Sequence, residues 1–192
     1  MVQRIVFLWF ILVPFIVSAQ SDEHYKLLLG KINFLRTKPQ IFLKEVVYPY
    51  ITHHNLDSLN DKYVASLIQT LKVQKPLKEL KFDGYLNRKA QEFAEEMGKT
   101  GQTGHYSAKL GGVSKRLERL KDSHYIGENC QYGLSDPLEI LMNLLIDQGV
   151  PNLGHRTNLL FDKFTLIGIA ITSHKSYGTQ CVMDFAGPAD FK

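Results

Sequence analysis

Apolar residues in the first half of the chain recur every three or four positions, the period of a helix with one buried face. Tyr25, Leu28, Leu29, Ile32 and Leu35 define a helix from about His24 to Thr37. Pro39 interrupts it, because the residue before a proline is pushed out of the α region. Pro39 then starts a second short helix through Ile41, Phe42 and Val46. Tyr48-Pro49-Tyr50 reads as a stop, and 55–60 as a polar connector. Val64, Leu67, Ile68 and Leu71 mark a helix from about Asp61 to Lys72. Asp83 is a good N-cap for a helix carrying Leu86, Ala90, Phe93, Ala94 and Met97, with Gly98 as its stop. Residues 114–121 suggest a short basic helix with Leu117 and Leu120 inward, and Tyr125 to Cys130 an extended piece. Asp136-Pro137-Leu138-Glu139 combines a cap, a proline at the first helical position and an acid able to reach back. The helix it opens runs to about Asp147 and is apolar nearly all round, so it is buried on more than one side. The period then changes to two. Phe164 to Thr172 and Thr179 to Ala186 alternate as strands, joined by a hairpin through 173–178. Helices first and antiparallel strands last predict an α+β domain, with helices packed on a small sheet.

The N-terminus has a different character. Arg4, an apolar run from Ile5 to Val17 and the small residues Val17-Ser18-Ala19 have the anatomy of a secretory signal peptide. The run falls short of the about 20 residues a membrane span needs. The expected division is therefore a signal over 1–19 and a single domain over 20–192. That chain would be secreted or periplasmic, and not an integral membrane protein once the signal is removed. Its charge would be mildly basic: the formal net charge of the whole chain is +4, and Arg4 leaves with the signal. The basic residues form no long run, so nothing points to nucleic acid as a partner. The two cysteines, Cys130 and Cys181, remain in the exported part. An oxidising compartment favours a disulfide between them. It would close a loop of about 50 residues and contribute about 4 kcal/mol on the chain-entropy account. The alternative is two buried free thiols in the sheet.

Three polar positions carry candidate chemistry: His105, Glu128 and His155, each directly preceded by a glycine that frees the backbone to place the side chain. Two imidazoles and a carboxylate suit a divalent metal. They equally suit acid–base work, with the carboxylate holding one ring in a fixed tautomer. Asp147 either points at the same place or is a solvated residue at a helix end. Asp184 is either an inward, paired acid or part of the solvent face of the sheet. Asn129 is expected to bond loop backbone, and Arg156 to tie its loop to a carboxylate, Glu128 or Asp184. His24, His124 and His174 read as surface residues at ends and turns. No Gly-x-Ser-x-Gly elbow surrounds Ser107, and His53-His54 are adjacent and point apart.

The order of several motifs adds to this. Asn33-x-x-Arg36-x-x-Pro39 is followed by Leu80-Lys81-Phe82-Asp83 with Leu86, Ala90, Ala94 and Met97, and then by His105. Gly127-Glu128-Asn129, Gly154-His155-Arg156-x-Asn158-Leu159-Leu160 and Gly168 complete the series. The sequence resembles the CAP superfamily, which takes in cysteine-rich secretory proteins, venom antigens, plant pathogenesis-related proteins and bacterial SCP-like proteins. The resemblance implies an α-β-α sandwich of three layers around an antiparallel sheet. It also implies a cleft gathering two histidines and two acids. His105, Glu128 and His155 match three of these positions. The fourth has no clean match, and Asp147 is its nearest candidate. The implied role is a binding module whose cleft holds a divalent cation (zinc, calcium or magnesium) or a small ligand, with lipid or an extracellular protein as further partners. The alternatives are a His/Glu-dependent, metal-assisted hydrolase or peptidase, and an envelope domain whose cleft only supports the fold.

Overall fold

The computed structural model describes residues 13–122 and 124–188, with side chains from Glu23 onward. Residues 1–12 of the expected signal lie outside the described residues. Helix α1 (Val13–Thr37) starts inside that expected segment. Then come α2 (Pro39–Phe42), a π-helical turn (Leu43–Val47), α3 (Tyr48–His53) and α4 (Lys62–Val73). Strand β1 (Lys81–Phe82), α5 (Gly84–Thr100), β2 (Tyr106–Ser107), β3 (Gly111–Gly112) and α6 (Val113–Arg116) follow. The chain ends with β4 (His124–Tyr132), α7 (Pro137–Ile146), α8 (Gly154–Leu159), β5 (Leu166–His174) and β6 (Gly178–Pro188).

The main sheet has the order β1-β5-β6-β4, antiparallel except that β1 runs parallel to β5. Side chains alternate across it and build two cores. On one face Ile167, Ile169, Cys181, Met183 and Phe185 pack with α1, α4 and α7. On the other, Cys130, Ala170 and Val182 meet Ala90, Phe93, Ala94 and Met97 of α5. The architecture is a three-layer α-β-α sandwich.

Glycine sets how closely α5 approaches. A Cβ on Gly168 would collide with the α5 backbone at Leu86 and Asn87, and one on Gly98 with the carbonyl of Ser173. Gly98 is therefore a contact and not a stop. The helix continues to Thr100 and ends at Gly101, whose φ of 75° is the left-handed cap. Tyr48-Pro49-Tyr50 is not a stop either. The π-helical turn leads directly into α3, and the widened ladder, in which the Tyr48 N–H bonds to the Leu43 carbonyl, accommodates Pro49, which has no N–H to donate.

The cysteines are both free and buried. In the register Cys130 sits opposite Val182, and Cys181 opposite Gln131. Neighbouring residues on a strand point to opposite faces, so one thiol belongs to each core. The expected disulfide is corrected on this ground: the sheet lies between the two sulfurs. His174 also departs from expectation. It is buried, its Nε2–H donates to the carbonyl of Gln102 at 2.8 Å, and its Nδ1 accepts from the backbone N–H of Ser176 and Tyr177 at 3.2 Å. It organises the β5–β6 turn from inside.

Candidate cleft at the edge strand

Strand β4 lies at the sheet edge, and the candidate residues gather around it. Glu128 and Asn129 are consecutive, so their side chains leave opposite faces. Glu128 faces the α5 layer, where a buried pocket of polar groups receives it. Its Oε1 accepts from His105 Nδ1 at 2.8 Å, and its Oε2 pairs with the guanidinium of Arg116. Arg116 is buried, stacks on Phe93 with 3.6 Å between guanidinium carbon and ring centroid, and also donates to the carbonyls of Gly111 and His105. The β2–β3 ladder pairs Tyr106 with Gly112 and Ser107 with Gly111, which fixes the backbone beside His105.

Asn129 faces the other way, toward α8. Its Nδ2 donates to the carbonyl of His155 at 3.0 Å, while Asn158 donates to Asn129 Oδ1 at 2.8 Å and to the carbonyl of Glu128 at 3.1 Å. Asn129 thus bonds backbone as expected, and two asparagines tie α8 to the edge strand.

Asp147 is the end of α7 and the anchor of α8. It is a buried C-cap in the left-handed region, φ 59°. Its Oδ2 accepts the backbone N–H of His155 at 3.0 Å and of Arg156 at 3.2 Å. Leu153 at the N-cap offers no side-chain bond, so Asp147 caps α8 from outside, where a negative charge is favoured. Its Oδ1 accepts from His155 Nδ1 at 2.7 Å. Asp147 is therefore not the solvated helix-end residue of the second reading.

The two imidazoles face each other with ring centroids 6.5 Å apart. Each Nδ1 points at a carboxylate, which can only accept, so each Nδ1 carries hydrogen. The Nε2 of a neutral ring then presents its lone pair. His105 is more open than His155, with side-chain exposures of 53% and 23%.

Arg156 does not reach Glu128 or Asp184. Its buried guanidinium donates to the carbonyls of Leu145, Ile146 and Tyr63 and to Ser66 Oγ. Its Nε lies too close to α7 for any carboxylate between. Burial lowers its pKa from the ordinary arginine value, and Asp147 opposes that shift.

Sequence reasoning missed Arg116 as a partner of Glu128, and it left the direction of Asp184 and the state of Cys130 open. Arg116 belonged to a segment read as a short basic helix with Leu117 and Leu120 inward. A buried Glu128 needing a cation was the only signal that pointed to it. Asp184 pairs with Glu128 in the register, so both point to the α5 face. It is fully buried, and neither oxygen meets a hydrogen-bond partner among the described residues. Burial first, then the charge of Glu128, pushes it well above the usual carboxylate range, while Arg116 pulls the other way. Cys130 Sγ lies 3.7 Å from His105 Nδ1, and His105, Glu128 and Cys130 place potential ligand atoms within 4.8 Å of one another. Burial first, then Glu128 and Asp184, raises the thiol well above its ordinary value. Ser107 is buried and its Oγ accepts from the backbone N–H of Lys109 and Leu110, so it serves its own turn.

The profile of the CAP, cysteine-rich secretory protein family matches residues 32–185. The chain belongs to this family. No curated protein matches it. Similar solved structures include an extracellular protein containing an SCP domain from Bacillus anthracis, 26% identical over 64% of this chain with a TM-score of 0.47. The match spans 38% of that protein's length. An outer surface protein of Borrelia burgdorferi is 19% identical over 70% of this chain and 97% of its own, TM-score 0.49. Venom allergen-like protein 4 of Schistosoma mansoni is 15% identical over 68% of this chain and 86% of its own, TM-score 0.42. Among the described residues, no helix is long and apolar enough to cross a membrane.

Proposed function

We propose that the chain is a secreted or periplasmic CAP-domain binding module whose cleft presents two imidazole Nε2 atoms to a divalent cation or small ligand. One observation carries this: two carboxylate–imidazole pairs, His105–Glu128 and His155–Asp147, face each other across 6.5 Å. Histidines that ligate metals commonly give their other ring N–H to a carboxylate, which fixes tautomer and orientation. His105 and His155 would hold the ion, while Glu128 and Asp147 orient the rings. Glu128 is already divided between His105 and Arg116, so it supports the ligand in place of being one. Imidazole donors suit zinc, whereas calcium and magnesium require oxygen ligands. Bound zinc would supply a Lewis acid with open positions for a small ligand. The alternative set of His105, Glu128 and Cys130 would need the thiol to lose its proton against burial and Glu128 to leave Arg116.

The cavity beside the π-helical turn, about 510 Å³, combines apolar Val46, Pro49, Tyr50 and Leu138 with Lys31, Glu45, His53, His54, Asp136 and Glu139, a mixed lining that suits an extracellular peptide better than a lipid tail. A second reading, a hydrolase or peptidase, draws support from the same pairs, because a carboxylate-held imidazole can activate water.

The test is calorimetric titration of the chain with zinc, calcium and magnesium, comparing wild type with His105→Ala and His155→Ala. Saturable zinc binding is expected, falling at least tenfold in each variant, with little heat from calcium or magnesium. Zinc binding unchanged in both variants would overturn the reading. A peptide-library digest run alongside tests the hydrolase: turnover lost in both variants would support it, and absence of turnover would leave the binding module.

A further inference from the structure

A second pocket includes Arg116, the partner of Glu128, in its lining. It occupies about 470 Å³ between the first turns of α5 and the segment around α6. Six cations line it: Arg88, Lys89, Lys109, Lys115, Arg116 and Arg119. Only two acids, Glu92 and Glu118, share the lining. The lining therefore carries a formal surplus of four positive charges.

Three of the six cations already have acidic partners. Lys89 pairs with Glu92 at 2.8 Å, Lys109 with Glu96 at 3.8 Å, and Arg116 with Glu128. Arg88, Lys115 and Arg119 have none among the described residues. Two of these three are positioned by contacts unrelated to charge pairing. Arg119 stands over the Tyr85 ring, 4.9 Å from its centroid. The stem of Lys115 lies across Gly111, where a Cβ would come within 2.7 Å of it. Gly111 also has a φ of 78°, a conformation that glycine adopts without strain. A third feature sits behind the cluster. The buried Nε of Arg116 has no hydrogen-bond partner among the described residues, although its other nitrogens are engaged.

We infer that this pocket binds a phosphate-bearing small molecule. Three unpaired cations set against Glu118, the one acid in the lining unpaired among the described residues, leave a surplus of two positive charges, which matches a phosphate dianion. Two of them are arginines, whose planar fork fits phosphate oxygens bidentately, and the lysine adds a point charge. The volume lies in the range of small-molecule sites, so the pocket has room for the organic part or for a second phosphate. The phosphate is either free in solution, as in a polyphosphorylated sugar or cyclitol, or part of a lipid headgroup.

The test titrates the chain over residues 20–192 with inositol hexakisphosphate and inorganic phosphate. Cosedimentation with phosphatidylglycerol vesicles, against phosphatidylcholine vesicles, is the second arm. Saturable binding to at least one phosphate probe is expected, weakening as salt is raised. Replacing Arg88, Lys115 and Arg119 together by Ala lowers affinity at least tenfold, while the circular dichroism spectrum and melting temperature stay as in wild type. Replacing the exposed Lys62, Lys72 and Lys75 on the opposite layer removes the same charge and leaves affinity within about twofold, since distant surface charges are screened. Binding to the soluble probe alone assigns the free source, and binding to phosphatidylglycerol alone assigns the headgroup. No saturable binding to any probe overturns the inference. So does equal weakening by the two triple variants, which would mark general electrostatic attraction. If the pocket variant fails to fold, Arg88→Glu with Lys115→Glu is read instead, and unchanged affinity there overturns the inference.

Discussion

Asp184 is a fully buried carboxyl whose two oxygens meet no hydrogen-bond partner among the described residues, and Glu128 lies opposite it in the register. Its pKa is raised by burial and by that neighbouring charge. A carboxyl whose folded pKa exceeds its unfolded value of about 3.8 binds protons more tightly when folded. Its contribution to stability is complete below that unfolded value and is lost as pH rises through the folded one. Asp184→Asn keeps the shape and a donor facing Glu128 but cannot ionise. The variant is expected to be more stable than wild type at neutral and alkaline pH, with the difference vanishing toward pH 3. Urea midpoints of both proteins across that range check it. A gap that widened on acidification would contradict the assignment. Sequence alternation left the direction of Asp184 open, because a mid-strand acid beside apolar neighbours is compatible with either face. Only the pairing with β4 decides it, and pairing is a long-range fact that local pattern does not contain.

At the scale of elements, α8 is too short to hold itself, and three other elements fix it. Asp147 caps it from α7, Asn129 and Asn158 tie it to β4, and Arg156 threads back into the carbonyls of α7 and α4. Arg36 does the same for the segment behind it. Its guanidinium donates to the carbonyls of Lys78, Leu159, Phe161 and Phe164, and burial lowers its pKa to about 10, so it stays charged at neutral pH. Arg156→Met would leave three buried carbonyls and the Ser66 hydroxyl without that donor. At about 1–3 kcal/mol for each buried group left unsatisfied, with relaxation recovering part, a loss of about 3 kcal/mol is expected in urea unfolding. Zinc affinity should fall as well, since His155 sits on the displaced turn. A loss below about 1 kcal/mol would show that the loop rebuilds its bonds. The helices themselves were legible, because caps such as Asp61, Asp83 and Asp136 and apolar stripes are local signals. The capping box at Glu139 was not realised. Its carboxylate pairs instead with His54 and accepts at 2.7 Å from Tyr50, a partner 89 residues away that local spacing cannot anticipate. The two histidine–acid pairs show the same division. Glycines and family motifs singled out His105, Glu128 and His155, but Arg116 remained hidden, because a basic residue on a short polar helix is most often solvated.

The whole molecule is two cores separated by one sheet, and the free cysteines report on them separately. Cys181 belongs to the core of α1, α4 and α7, and Cys130 to the core under α5. Burial raises both thiols above their ordinary range, so neither is expected to react with a disulfide reagent at neutral pH while the chain is folded. The layers share β5 and β6, whose alternating side chains enter both cores, so one cannot lose its packing without releasing the other. Both thiols should therefore become reactive together, in the same denaturant range as the loss of circular dichroism. Single variants Cys130→Ala and Cys181→Ala assign the two rates. Cys130 becoming reactive well before the main transition would mean that α5 detaches as its own unit. That outcome would also open the cleft and the basic pocket, since Arg116 rests on Phe93 of that helix. A mass two hydrogens lighter under non-reducing conditions would instead require a bridge through the sheet, and would contradict the register that places these sulfurs on opposite faces.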